Sequence, residues 1–227
     1  MIGSLCIMLS ALCCLTIVGF VAAILGDIAY YGVHLLSWQF LTTAPSRGMT
    51  EGGIFPAIFG TAFLVILMTI AVIPLGVMTA IYLHEYASKK SRTVVWIRLA
   101  IQNLAGVPAI VFGLFGMGFF IQFVGVGIDK AFFAGHLTFG QPAILWAALT
   151  LALLTMPTVV VSTEESLRAI PAAHRDVAYS LGATKLQMIR RIVLPQALGG
   201  ILTGTILAVG RGAGEVAPIL FTGAAYY

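Results

Sequence analysis

The chain has 227 residues, 60% of them hydrophobic and only 9% charged, with a formal net charge of +4 and a mean hydropathy of +1.04. A soluble domain carries about 25% charged residues, so this composition excludes soluble enzymes, disordered tails, collagen and disulfide-rich secreted modules. The twelve basic residues are too few to signal nucleic-acid binding, and the reading is an all-α integral membrane protein.

A helix needs about 20 apolar residues to cross a bilayer. In chain order the sequence predicts five spans, over about 3–26, 55–83, 99–125, 142–161 and 197–222, within one membrane domain covering 1–227. The first carries Cys6, Cys13 and Cys14 without metal spacing. No Lys or Arg precedes it, and it outlasts the roughly 7–15 residues of a secretory signal core. The more polar stretch after it, with Tyr30, His34, Trp38, Arg47 and Glu51, reads as a loop with an interfacial helix. Prolines 56, 74, 108, 157 and 218 and the small pair Gly200/Gly204 point to helices packed closely on one another.

Lys89, Lys90, Arg92 and Arg98 follow the second span; Arg168, Arg175, Lys185, Arg190 and Arg191 follow the fourth. Nine of the twelve basic residues therefore lie in two loops on one side. Positive charge marks the cytoplasmic face, so both loops and the N-terminus are expected in the cytoplasm and Tyr227 outside.

The expected cytoplasmic loop, 162–196, is too long to be a linker. Ser162 with Glu165 and Thr184 with Gln187 fit capping boxes, and Glu164 and Glu165 read as acidic residues at a helix start. Pro171 and Gly182 suit a helix start and a helix end. Two short helices are predicted, over about 172–181 and 185–193, with a turn at Gly182 between them.

Arg211 is the only cation inside a predicted span, and Glu215 lies four residues on, on the same face of a continuous helix. An intramembrane guanidinium costs a few kcal/mol. Either the two form a packed pair that holds helices together, or Arg211 offers its planar donor fork to an oxyanion. Thr61, Thr69 and Thr79 either line a polar path or bond their own helix backbone. His84, His136 and His174 lack metal spacing, and no metal site is expected. No P-loop, G-x-S-x-G or H-E-x-x-H pattern is present.

Within the loop, Asp176-Val177-Ala178, Gly182 and Ile192-Val193-Leu194-Pro195 stand at the spacing of the EAA loop and resemble that of ABC importer permeases. Asp176 and Val177 replace the usual Glu and Ala. The competing reading of this loop is an amphipathic helix lying on the lipid surface. The resemblance narrows through Ala80-Ile81-Tyr82-Leu83 with Glu85-Tyr86-Ala87, Val107 to Phe115, Thr163 to Pro171, and Arg211 to Gly223. These are similar to phosphate importer permeases of the PstA type, with Val216 standing where the family usually has Thr.

The resemblance implies a type I ABC importer membrane domain with a sixth span beyond the five found here, in the bacterial inner membrane. It implies a second homologous permease subunit, two ATPase subunits that carry ATP and Mg, and an external phosphate-binding protein, with no cofactor on this chain. It also places Arg211 and Glu215 on the translocation path and assigns ATPase coupling to Asp176, Val177, Ala178, Gly182, Ile192, Leu194 and Pro195. A sibling permease for the same or another oxyanion is the nearest alternative. A secondary transporter or an intramembrane enzyme is a more distant one.

Overall fold

The structure is a computed structural model that describes residues 2–47, 51–88, 91–133 and 135–223, with side chains from residue 7 onward. Lys89, Lys90, Tyr227 and the Cys6 side chain lie outside the described residues. The chain groups into two compact units, Met1–Phe59 and Gly60–Tyr227. Among the described residues, five helices are long and apolar enough to cross a membrane: Ile7–Leu35, Phe55–Tyr86, Ala109–Phe132, Ile144–Ala169 and Lys185–Ala213.

In the first unit, α1 (Ile2–Gly32) runs past Asp27, beyond the expected end at 26. Its described side chains from Ile7 to Tyr31 are all exposed, and an apolar helix bare on every side suits lipid. The short α2 (Trp38–Thr42) is capped by Ser37, whose Oγ accepts the Phe40 N–H at 3.1 Å. The unit boundary falls within the next helix, α3 (Phe55–Ile81).

The second unit is built around α7 (Ile144–Ala169), whose Trp146, Leu151, Val159, Val160 and Leu167 are buried. Met68 and Val72 of α3 pack on it, as does Ala208 of α10 (Leu194–Ala213). Close approach depends on missing side chains. A Cβ on Gly204 would meet the Oγ and Cβ of Ser162, and one on Gly200 would meet Ser166. At the other end of α7, the buried Asp129 carboxylate accepts the N–H groups of Thr138, Phe139 and Gly140 at 2.7–3.0 Å. Trp146 Nε1 donates to the Phe139 carbonyl at 2.7 Å and closes that loop.

Several predicted boundaries differ. The stretch 99–125 is not one helix: α4 (Arg92–Leu104) ends in a turn through Ala105–Gly106, and α5 (Ala109–Gly116) starts after Pro108. Pro108 disfavours a helical conformation at the residue before it. From α5 the chain continues through a π-helical stretch, Met117–Gly125, into α6 (Val126–Phe132). The expected capping box at Ser162 is absent, because α7 runs through it: Ser162 Oγ donates to the Val159 carbonyl and Ser166 Oγ to that of Ser162. Glu164 and Glu165 are therefore interior helix residues and cap nothing. The last predicted span, 197–222, divides into α10 and α11 (Ala217–Thr222), separated at Gly214–Val216.

Gly204→Val should force α7 and α10 apart and lower stability by about 1–3 kcal/mol. Gly199→Ala on the same helix meets nothing within 4 Å and should be neutral or stabilising. Unfolding of the purified chain in mixed micelles checks both; equal behaviour of the two variants would remove the close-packing argument.

Candidate functional site

The loop between α7 and α10 begins with α8 (Ala172–Ser180), for which Pro171 is the N-cap. It closes with paired bonds: Ala183 N–H to the Ala178 carbonyl at 3.1 Å, and Gly182 N–H to that of Tyr179 at 2.9 Å. This Schellman arrangement requires a left-handed residue, and Gly182 supplies φ +78. The capping box at Thr184 is present: Thr184 N–H donates to Gln187 Oε1 at 2.9 Å, and Gln187 N–H to Thr184 Oγ1 at 3.4 Å. It opens α9 (Lys185–Met188), which passes through a π-helical turn, Ile189–Val193, into α10.

Ala178 is buried against the chain's own core with Leu167, Ile170, Met188 and Ile189. Its small size lets α8 lie close to α7 and α9. The outward face of the loop is Val177, Tyr179 and, most of all, Leu181, which is 82% exposed. Asp176 is exposed as well, while Ile192 and Leu194 are half-buried and Pro195 is exposed.

The loop is fastened by Arg175, a residue absent from the sequence candidates. Its Nη1 donates to the Ile170 carbonyl at 2.8 Å and its Nη2 to that of Leu167 at 2.9 Å, satisfying the end of α7. The same guanidinium holds Glu85 Oε1 through Nη2 at 2.8 Å and Nε at 3.1 Å. Glu85 lies in a π-helical turn, Tyr82–Tyr86, that ends α3. A second cross-link runs beside it. Arg98 Nη2 of α4 is 3.1 Å from Glu164 Oε1 of α7 and donates to the Leu83 carbonyl at 2.9 Å. The two basic loops thus meet at one end of the second unit. A signal was available: in a chain 9% charged, acidic residues at span ends next to basic loops are candidates for such pairs.

Arg211 and Glu215 are also brought together, Nε to Oε1 at 3.6 Å. They do not share the face of a continuous helix as expected. Arg211 sits in the last turn of α10, and Glu215 follows the break, after Gly214 N–H has closed on the Arg211 carbonyl at 3.1 Å. The Arg211 side chain is 46% exposed and that of Glu215 22%. A cavity of about 190 Å³ lies nearby, lined by Thr61, Leu64, Val65, Ile144, Gly212 and Ile219 among others. Thr61 reaches this cavity, whereas Arg211 and Glu215 do not line it. Thr69 and Thr79 donate to the Val65 and Leu75 carbonyls of their own helix at 2.7 Å.

Paired charges at one end of the second unit, a broken helix beside a cavity and, among the described residues of the chain, five membrane-length apolar helices mark a multi-pass membrane protein. Residues 72–226, more than half of the chain, match the family described as binding-protein-dependent transport system inner membrane component, and the chain belongs to that family. It is 32% identical over 93% of its length to the probable ABC transporter permease protein YqgI of Bacillus subtilis, of which it covers 67%. It is 36% identical over 84% of its length to the phosphate transport system permease protein PstA of Mycobacterium leprae, covering 58% of that protein. A solved structure described as an amino acid ABC transporter with histidines aligns with TM-score 0.42 and 20% identity over 69% of this chain and 68% of that one. The chain spans about half to two thirds of the length of the curated relatives it matches.

Arg175→Gln or Glu85→Gln alone strands a mostly buried charge and should cost about 3–5 kcal/mol. The double variant should lose less than the sum of the two. Unfolding of the four proteins as a double-mutant cycle checks this; strict additivity would show that the pair is not coupled.

Proposed function

We propose that the chain is the membrane-spanning subunit of an ATP-driven importer of inorganic phosphate. The observation that carries this reading is the identity, over most of the chain, to permeases named for phosphate transport. In this reading a second, homologous permease subunit completes the translocation path, and an external phosphate-binding protein delivers the anion. Two ATPase subunits, which hold ATP and Mg, engage the loop around α8. The protein lies in the bacterial inner membrane, with the N-terminus and the α8–α9 loop in the cytoplasm, as the basic residues of that loop favour.

The chemistry rests on a few residues. Arg211 stands next to a helix break with nearly half of its side chain exposed, so its donor fork is open to an oxyanion in the path. Glu215 balances the guanidinium when phosphate is absent and competes with phosphate when it arrives, which keeps binding weak enough for release. Thr61 adds a hydroxyl to the wall of the neighbouring cavity. At the coupling end, Val177, Tyr179 and Leu181 offer an apolar knob to a groove on the ATPase. Gly182 holds the turn beneath it, and Asp176, Ala178, Ile192, Leu194 and Pro195 shape the loop that carries it.

Phosphate uptake in cells depleted of other phosphate carriers, normalised to assembled complex, tests both ends. Arg211→Gln with Glu215→Gln should assemble normally yet lower uptake by tenfold or more, about 1.4 kcal/mol at the barrier. Arg211→Lys should fall between this double variant and wild type. Wild-type uptake by the double Gln variant would leave the pair as a helix staple. Leu181→Asp, at an exposed position, should leave the chain folded in the membrane while abolishing stimulated ATPase activity. Normal stimulation in that variant would remove the coupling role.

A further inference from the structure

Beside the Arg98–Glu164 cross-link, a cavity of about 450 Å³ opens between the end of α3, α4 and the last turn of α7. It is lined by Leu83, His84, Val94, Val95, Arg98 and Arg168. Arg98 is engaged by Glu164 and the Leu83 carbonyl. Arg168 is exposed and makes no hydrogen bond or ion pair with any described residue. The lining residues include two arginines and no carboxylate. The carboxylates next to it are taken up, Glu164 by Arg98 and Glu85 by Arg175, with Glu85 Oε1 also 3.9 Å from His84 Nε2.

The level of this cavity is set by the helices that form it. His84 lies two residues before the end of the membrane-length segment Phe55–Tyr86, and Arg168 one residue before the end of Ile144–Ala169. Both side chains therefore sit where a bilayer's hydrocarbon gives way to its polar surface. Next to the cavity, α4 turns Val95, Trp96 and Leu99 outward, with Trp96 71% exposed. An exposed tryptophan flanked by aliphatic residues on a helix at this level suits the boundary between acyl chains and headgroups.

We propose that this cavity binds the phosphate headgroup of an anionic phospholipid. Arg168 supplies the free guanidinium fork and Arg98 the second cation, while acyl chains run along Val95, Trp96 and Leu99. Free inorganic phosphate presents the same oxygens to an arginine fork. The apolar part of the wall, Leu83, Val94 and Val95, and its level in the membrane favour the lipid. The site is distinct from Arg211 and is independent of what the protein transports.

The test uses the full chain in nanodiscs of phosphatidylcholine alone or with phosphatidylglycerol, retained lipid being read by native mass spectrometry. The wild-type chain should retain phosphatidylglycerol in preference to phosphatidylcholine. Arg168→Gln should weaken that retention about fivefold, with an unchanged unfolding temperature in phosphatidylcholine because Arg168 holds nothing among the described residues. Arg168→Lys should keep most of the retention. Equal retention by wild type and Arg168→Gln would overturn the proposal. Displacement of phosphatidylglycerol by millimolar inorganic phosphate would overturn it too, giving the site to a free anion.

Discussion

The Arg175 guanidinium answers three demands at once. The last turn of a helix leaves carbonyls without partners, and Pro171 just beyond α7 has no N–H to offer. Arg175 reaches back to two of those carbonyls, at Ile170 and Leu167, and so ends the central helix. Its charge needs a counterion, which Glu85 provides from the end of α3. Its backbone belongs to α8, so the position of the loop is tied to the ends of both helices. Movement of α8 that broke these contacts would expose a carboxylate, a guanidinium and two carbonyls together.

The other half of the architecture depends on residues that contribute almost no surface. Helices in lipid gain little from burying apolar side chains and associate through close packing. Gly200 and Gly204 of α10 face Ser166 and Ser162 of α7, and Gly212 faces Met68 and Thr155. The α7 serines donate to carbonyls of their own helix, so they approach α10 without a stranded hydroxyl. The contact is therefore shallow and continuous, and α10 follows α7 until the break at Gly214.

The sequence is legible where local chemistry decides the backbone. Gly182 and the Thr184–Gln187 pair are readable because a left-handed turn and a reciprocal cap each need particular residue types at fixed offsets. Ser162 with Glu165 satisfies the same pattern and misleads, since nothing local stops α7 there; tertiary packing on α10 carries the helix to Ala169. The division between α4 and α5 escapes a reading by hydropathy because apolar composition continues across Pro108. The direction of Ala178 and the roles of Arg175 and Glu85 depend on partners up to ninety residues away in the chain, which no spacing rule encodes. Spacing finds Arg211 and Glu215 as a pair, but not the helix break between them.

The π-helical turn at the end of α3 sets the phase of everything attached to it. Ala87 N–H donates to the Tyr82 carbonyl, five residues back, one more than in an α-helix. The Leu83 carbonyl is thereby left open, and Arg98 fills it. One additional residue in a helical turn rotates the downstream chain by about 100°. The single widened turn therefore acts as an angular offset, aligning Glu85 with α8 and giving α4 a place to attach. This end of the protein is therefore as sensitive to length as to composition: a one-residue deletion would preserve every apolar stripe upstream and still point the anchoring carboxylate away from its guanidinium.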